Sequence, residues 1–249
     1  MLIDIHNHVI TGLDDGAKTN EESLQMLKKA ANNNIKKLIV TPHFKEQKYE
    51  NTRDIICNRL DELKKLVNEN NIDIELYPGS EIFLTKKTNN LLNSGEIQTL
   101  NNTKYILVEM FPLAKYRLYD FKEELYNLKV DGYKVILAHP ERYDFTHDDP
   151  NTIYDLVDEG YYIQVNVNCL NSHHPNFKTV RKLLDHNLVQ FVASDAHSYN
   201  SRPLDLQKGY DYIIDNYGKD YADLLFYENP LNIIENKEVR LGDYRKIKK

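Results

Sequence analysis

Short apolar runs alternate with longer amphipathic stretches along the whole 249-residue chain. The apolar runs predict β-strands at about 2–6, 36–41, 73–79, 105–109, 133–138, 161–167 and 189–194. Between and after them, helical spacing of apolar residues predicts helices at about 20–33, 51–69, 119–130, 151–159, 176–186, 204–216 and 219–228. In the first helix Asn20 reads as the N-cap, with Leu24, Leu27 and Ala31 as the apolar face. In the second, Ile55, Ile56, Leu60, Leu63 and Val67 read as the face turned to the core. Alternation of this kind implies a parallel sheet with right-handed crossovers. Polar residues follow nearly every strand, which favours a closed, TIM-barrel-like α/β fold over an open sheet with its site at one switch point. No linker, repeat or low-complexity stretch interrupts the pattern, so residues 1–249 read as one domain.

Composition narrows the function. A net charge of −6 argues against a nucleic-acid binder. It leaves an anionic substrate open, because bound metal ions can dominate a local field. Cys57 and Cys169 are the only cysteines and lie far apart, as in a chain kept reduced. Leu63 and Pro175 stand six residues after them, which disfavours a Cys-x5-Arg phosphatase loop. An early Asp4, no basic leader and no bilayer-length apolar run predict a cytoplasmic protein without direct membrane insertion. The basic end, Arg245-Lys246-Ile247-Lys248-Lys249, reads as a solvated tail, or else as a weak attractor of an acidic partner or membrane surface.

The candidate chemistry sits at the strand ends. His6 and His8 follow the first strand, and side chains two apart on a strand share a face. Asp15 lies in Asp14-Asp15-Gly16, which also reads as a turn. His43 follows Thr41-Pro42, and Glu81 and Glu109 end apolar runs where a bare carboxylate is costly. A metal would relieve that cost, as would a lysine or arginine partner. His139 opens His139-Pro140-Glu141-Arg142-Tyr143, and Asp195 and His197 close the last strand. Imidazole and carboxylate without thiolate suit Mn, Fe or Zn, and so many ligands point to more than one ion. Arg142 and Arg202 are candidates for bidentate phosphate binding. For Arg142 the alternative is a surface salt bridge with Glu141 or Asp144. His147, His173, His174 and His186 read as surface or structural residues.

Taken together, Asp4-Ile5-His6-Asn7-His8, Asp14-Asp15-Gly16, Thr41-Pro42-His43, Gly79-Ser80-Glu81-Ile82, Glu109, Ala138 to Tyr143 and Ser194-Asp195-Ala196-His197 resemble the PHP (polymerase and histidinol phosphatase) superfamily of metal-dependent phosphoesterases. Within it, the chain is most similar to the CpsB/YwqE-like protein-tyrosine phosphatases of bacterial capsule and exopolysaccharide clusters. The resemblance implies a distorted (β/α)7 barrel with three divalent metal ions, commonly manganese, with iron or zinc as alternatives. It implies His6, His8, Glu81 and Asp195 around one ion. Glu81, Glu109 and His139 would hold a second, with Glu81 bridging, and Asp15, His43 and His197 a third. Arg142 and Arg202 would bind the phosphate in the reaction, and the attacking group would be a hydroxide bridging two ions. The implied substrate is the phosphotyrosine-bearing tail of a membrane-associated bacterial tyrosine kinase that governs polysaccharide export. A histidinol-phosphate-type phosphatase on the same fold, and a non-catalytic metal-binding kinase-docking module, are the alternatives. An oligomer is compatible with all three.

Overall fold

The computed structural model describes residues 1–111 and 119–248. Strand β1 spans Leu2–Asp4, and helix α1, Asn20–Asn32, leads to β2, Ile35–Val40. The chain resumes as β3, His43–Lys45, after Thr41-Pro42 interrupts the ladder, and turns back through β4, Tyr49–Glu50. Helix α2, Arg53–Glu69, leads to β5, Glu75–Pro78, and then to β6, Glu81–Phe83, across the break at Gly79-Ser80. There follow α3 (Thr88–Asn93), β7 (Tyr105–Glu109), α4 (Tyr119–Val130), β8 (Lys134–Ala138), α5 (Asp144–Asp148), α6 (Asn151–Asp158), β9 (Tyr162–Asn166), α7 (Phe177–Asp185) and β10 (Phe191–Ala193). Helices α8 (Gln207–Tyr217), α9 (Lys219–Asp223) and α10 (Asn229–Ile234) complete the order, with a π-helical turn at Leu224–Glu228 between the last two.

The strands form two sheets, β1-β2-β5 and β10-β9-β8-β7-β6-β3-β4, parallel throughout except for the β3–β4 pair. Because β2 and β3, and β5 and β6, are halves of interrupted staves, the two sheets share those staves. The gap between β10 and β1 is spanned by the parallel bridge Asn7–Ala196. There the Asp195 N–H donates to the His6 carbonyl and the His8 N–H to the Ala196 carbonyl, both at 2.8 Å. The architecture is a distorted (β/α)7 barrel, distorted because two staves break and one seam is only a bridge.

Two apolar layers result from strand alternation. Outward residues such as Phe44, Ile82, Val108 and Val165 pack with the helix faces. Inward residues, among them Ile3, Ile39, Leu107, Ile136 and Phe191, fill the barrel interior. Ile233 of α10 and Val239 join that inner cluster. The Tyr105 hydroxyl ties the segment down, donating to the Lys237 carbonyl at 2.8 Å and accepting from the Val239 N–H at 3.0 Å.

Several sequence expectations change in detail. Thr19, not Asn20, caps α1, its side chain accepting from the Glu22 N–H. The buried face of α1 is Ser23, Met26, Leu27 and Ala30, with Leu24 and Ala31 only partly covered. Ile55 is 42% exposed, because adjacent helical residues point about 100° apart and Ile56 takes the core position. Strands β4 and β6 and helices α3, α5 and α10 carry no clear periodic signal, being a single turn or a few residues long. The basic side chains of the tail, Arg245, Lys246 and Lys248, are exposed as expected of a solvated end, while its backbone and Ile247 are anchored. Arg245 donates to the carbonyls of Asp185 and His186, and the buried Ile247 exchanges hydrogen bonds with Asn151. Lys249 lies outside the described residues. Among the described residues no helix is long and apolar enough to cross a membrane.

Ile233 is fully buried under the barrel, away from the strand ends that carry the candidate ligands. Ile233→Ala should therefore lower unfolding stability by about 2–5 kcal/mol, measured in urea, without changing divalent-metal affinity.

Candidate metal centre

The structure brings all nine candidate ligands together at the C-terminal ends of the strands. His6 and His8 flank the Asn7 bridge. Strand β1 stops at Asp4, so the shared face expected from a continuous strand is supplied by that bridge, and their Nε2 atoms lie 3.4 Å apart. Asp15 arrives on a loop pressed against His8, in the segment that follows β1. A Cβ on Gly16 would lie 2.1 Å from the His8 carbonyl oxygen and 2.5 Å from the His8 Cβ, so only glycine permits this approach. His43 and Glu81 are register partners opening β3 and β6, and Glu109 ends β7. His139 and Asp195 have positive φ, 35° and 51°, the left-handed region that non-glycine residues rarely adopt. Such strain, about 1–3 kcal/mol each, is characteristic of functional sites. At His139 it turns the side chain off the alternation that places Ala138 in the inner cluster.

Four donor groups emerge among the described residues: His8, Asp15, His43 and His197; His6, His8 and Glu81; His6, His139 and Asp195; and His43, Glu81 and Glu109. Glu81 Oε2 lies 3.2 Å from His6 Nε2 and 3.3 Å from His8 Nε2, and Asp195 Oδ1 lies 3.4 and 3.6 Å from the same atoms. Donors about 2.1 Å from a shared ion stand about 3.4 Å apart in a tetrahedral arrangement, so these spacings fit one cation. Asp15 Oδ1 is 3.5 Å from His43 Nε2 and 3.6 Å from His197 Nε2. His139 Nε2 is 2.9 Å from Glu81 Oε1 but 3.9 Å from Glu109. His43 Nδ1 also faces both carboxylates, at 3.0 and 4.0 Å. Among the described residues, Glu81 and Glu109 thus have histidines as their ion-pair partners, rather than the lysine or arginine alternative.

The hydrogen bonds behind the cluster fix which lone pairs face inward. His8 Nδ1 meets Asp14 Oδ2 at 2.8 Å, and Asp14 also accepts from the His43 and Gly16 N–H groups. His6 Nδ1 meets Gln164 Oε1 at 2.9 Å. Gln164 donates to Asn166, and Asn166 donates to Asp195 Oδ2 at 2.7 Å. A chain in this order leaves the Gln164 oxygen to accept, so both histidines carry their proton on Nδ1 and turn the Nε2 lone pair inward. Two imidazole lone pairs and two acceptor-only carboxylates then face one another in a buried space. Mutual repulsion makes that arrangement a site for cations or protons, and the residues fit divalent metal ions.

Electrostatics agree. Burial opposes charge on His8, yet Asp14 and the other carboxylates more than offset it and hold its pKa well above the usual value. Burial likewise opposes ionisation of Glu81 and Asp195, but the surrounding histidines pull both well below the carboxylate range. Glu109, desolvated and beside Glu81, is pushed up to about 7. Burial and Arg142 lower His139 to about 4, and burial and His8 lower His197 to about 3.

Arg142 stands on the 3₁₀ turn Pro140–Arg142. Its Nη2 donates to Asp195 Oδ2 at 2.6 Å, and Arg202 Nη2 pairs with the same oxygen at 2.5 Å. One oxygen of Asp195 therefore faces the histidines and the other holds two guanidinium groups, each about a third exposed. The expected Glu141 alternative for Arg142 is not adopted. Glu141 is fully buried, accepts from the Asn166 N–H at 2.8 Å, and burial pushes its pKa up to about 7. A cavity of about 490 Å³ opens beside Arg202, lined in part by Leu170, Pro203 and Tyr212. His147 and His173 are exposed, while His174 and His186 are partly covered, and none joins the donor groups. Asp14, Gln164 and Asn166 are the site residues that sequence reasoning passed over. A sign of the last two was present: Gln164 and Asn166 are polar residues at alternate positions of an otherwise apolar strand.

A seven-stave barrel with clustered histidine–carboxylate donor groups and paired arginines defines a class of metallohydrolase. Residues 2–235 match the family described as Capsular polysaccharide synthesis, CpsB/CapC, and the chain belongs to that family. The tyrosine-protein phosphatase CpsB of Streptococcus agalactiae is 31% identical over 242 residues, covering 94% of this chain and 99% of that protein. The tyrosine-protein phosphatase YwqE of Bacillus subtilis is 31% identical over 242 residues, covering 96% and 91%. A solved structure from work on YwqE of Bacillus subtilis and CpsB of Streptococcus pneumoniae, described as unique metal-dependent tyrosine phosphatases, superposes with a TM-score of 0.93 at 29% identity, covering all of both chains.

Because Asp14 orients His8, Asp14→Asn should weaken divalent-metal affinity about 10–100-fold by titration calorimetry, with the fold retained. A cation must also displace the proton that His8 holds above its ordinary range. Metal loading should therefore release protons, and apparent affinity should fall as pH drops through neutrality and below.

Proposed function

We propose that the chain is a metal-dependent phosphotyrosine phosphatase whose active site is the donor cluster together with Arg142 and Arg202. The observation that carries this reading is the division of Asp195 between the two inward histidines and the two arginines. It sets a strong anion site directly beside a metal site, the combination phosphoryl transfer requires. We assign His6, His8, Glu81 and Asp195 to one ion, Glu81, Glu109 and His139 to a second, and Asp15, His43 and His197 to a third. Manganese is the first choice, with iron or zinc as alternatives, from the imidazole–carboxylate donor set. When bound, such ions supply Lewis acidity for transfer of the phosphoryl group to water.

The chain's own contribution is positioning. Arg142 and Arg202 carry donors in fixed planar forks that match the oxygens of a phosphate ester. Gln164 and Asn166 hold His6 and Asp195 in orientation, and Asp14 does the same for His8. A tyrosine phenolate has a pKa of about 10 and departs with little protonation, so a strong general acid is less needed than for a serine ester. The substrate we favour is the phosphotyrosine-bearing tail of a membrane-associated tyrosine kinase. The family's description by capsular polysaccharide synthesis and the names of the relatives support it. We take residues 1–249 as one catalytic domain.

Chelator-stripped protein resupplied with Mn²⁺ should release phosphate from a phosphotyrosine peptide and far less from a phosphoserine peptide or histidinol phosphate. Preference for histidinol phosphate would overturn the substrate, and no turnover with metal bound would overturn the enzyme. Arg142→Ala should retain metal while losing about 100-fold or more in kcat/KM. His6→Ala should lose metal and turnover together.

A further inference from the structure

Three staves that supply candidate ligands continue past them in one pattern. His43, Glu81 and Glu109 are each followed by a residue buried in the outer core, Phe44, Ile82 and Met110. Each is then followed by a partly buried residue, Lys45, Phe83 and Phe111. Strand alternation returns the third residue to the side of the first. Register ties the staves together: His43 pairs with Glu81, and Phe83 pairs with Glu109. Lys45, Phe83 and Phe111 therefore lie on the donors' side of their staves, with Phe83 level with Glu109 and Phe111 one step beyond it, and form an outer layer beside the donor group His43, Glu81 and Glu109.

The layer is organised. The Phe83 and Phe111 rings meet edge to face, with centroids 5.8 Å apart and planes at 84°. Lys45 Nζ lies 3.9 Å from the centre of the Phe83 ring and 6.0 Å from that of Phe111. Two partly exposed aromatic rings at the mouth of a polar, charged site provide an apolar surface where an aryl group can stack. Lys45 adds a cation–π contact and a positive charge toward an anionic ester.

We infer that Phe83 and Phe111, with Lys45 laid against Phe83, seat the aromatic ring of the substrate and give the site its preference for aryl over alkyl phosphate esters. The inference rests on the phosphatase reading above and names the residues that would make that site select tyrosine. An alkyl ester such as phosphoserine has no ring to stack on this layer. The competing seat is the cavity beside Arg202, with Tyr212 in its wall.

Binding of inorganic phosphate, methylphosphonate and phenylphosphonate to the full-length, Mn²⁺-loaded protein by calorimetry separates these cases. The wild-type protein should bind phenylphosphonate about tenfold or more tighter than methylphosphonate. Phe83→Leu and Phe111→Leu, which keep apolar volume but remove the ring, should each erase most of that ratio and leave phosphate affinity unchanged. Lys45→Met should reduce the ratio by about two- to fivefold. Tyr212→Ala should leave it intact. A ratio that survives both phenylalanine changes, or that falls in Tyr212→Ala instead, would overturn the ring seat. Phosphate binding with no phenyl preference in the wild-type protein would also overturn it while sparing the phosphatase reading. Failure of the wild-type protein to bind any of the three would count against that reading itself.

Discussion

His6 Nε2, His8 Nε2, Glu81 Oε2 and Asp195 Oδ1 crowd around one another, with histidine–carboxylate separations of 3.2–3.6 Å. All four present lone pairs, and burial removes the water that would otherwise separate them. Such a set is tolerable only with positive charge at its centre. Much of the surrounding structure bears on keeping the donors there. Asp14 and Gln164 lock the two histidines from behind. The left-handed backbone at His139 and Asp195 turns those side chains into position at a conformational cost that the fold must offset. Asp4, also buried, accepts from the Ser194 N–H and hydroxyl, fastening the first strand to the last beside the ligands.

The barrel suits this task because it separates two demands. Below the ligands, the interior is filled by aliphatic and aromatic side chains and closed by Ile233, Val239 and the Tyr105 hydroxyl. Above it, the same strand faces change to histidine and carboxylate. The stave breaks at Thr41-Pro42 and Gly79-Ser80 fall just before His43 and Glu81. Ladder hydrogen bonding is lost where backbone must be reshaped to present ligands, and it resumes immediately beyond.

Much of the candidate site was legible in the sequence, because donor residues at strand ends stand out against the apolar runs that precede them. His6, His8, His43, Glu81, Glu109, His139, Asp195 and His197 all carried that signal. Asp15 was harder to read, since Asp14-Asp15-Gly16 also suits an ordinary turn. What brings it to the candidate cluster is the close approach of Gly16 to His8, a contact between segments of the fold that no local pattern shows. Short elements were less legible. Helices α3, α5 and α10 are five or six residues each, too short for periodicity to register, and tertiary packing stabilises them. The anchoring of Ile247 within the otherwise solvated basic tail was not legible because Asn151, the partner that holds it, is 96 residues away in the chain.

By itself the sequence determined the alternation of strand and helix, the apolar floor and the chemical identity of the candidate ligands. These are set by local periodicity and by the cost of leaving a carboxylate bare at the end of a buried strand. Only the tertiary structure decided how the ligands divide into groups and which ring nitrogens face inward. It also decided that Arg142 and Arg202 converge on Asp195, and that Lys45, Phe83 and Phe111 share one layer. Those facts depend on contacts between distant segments, such as His6 with Gln164 at a separation of 158 residues. Closing the ring of strands creates these contacts, and no local pattern encodes the distance between them.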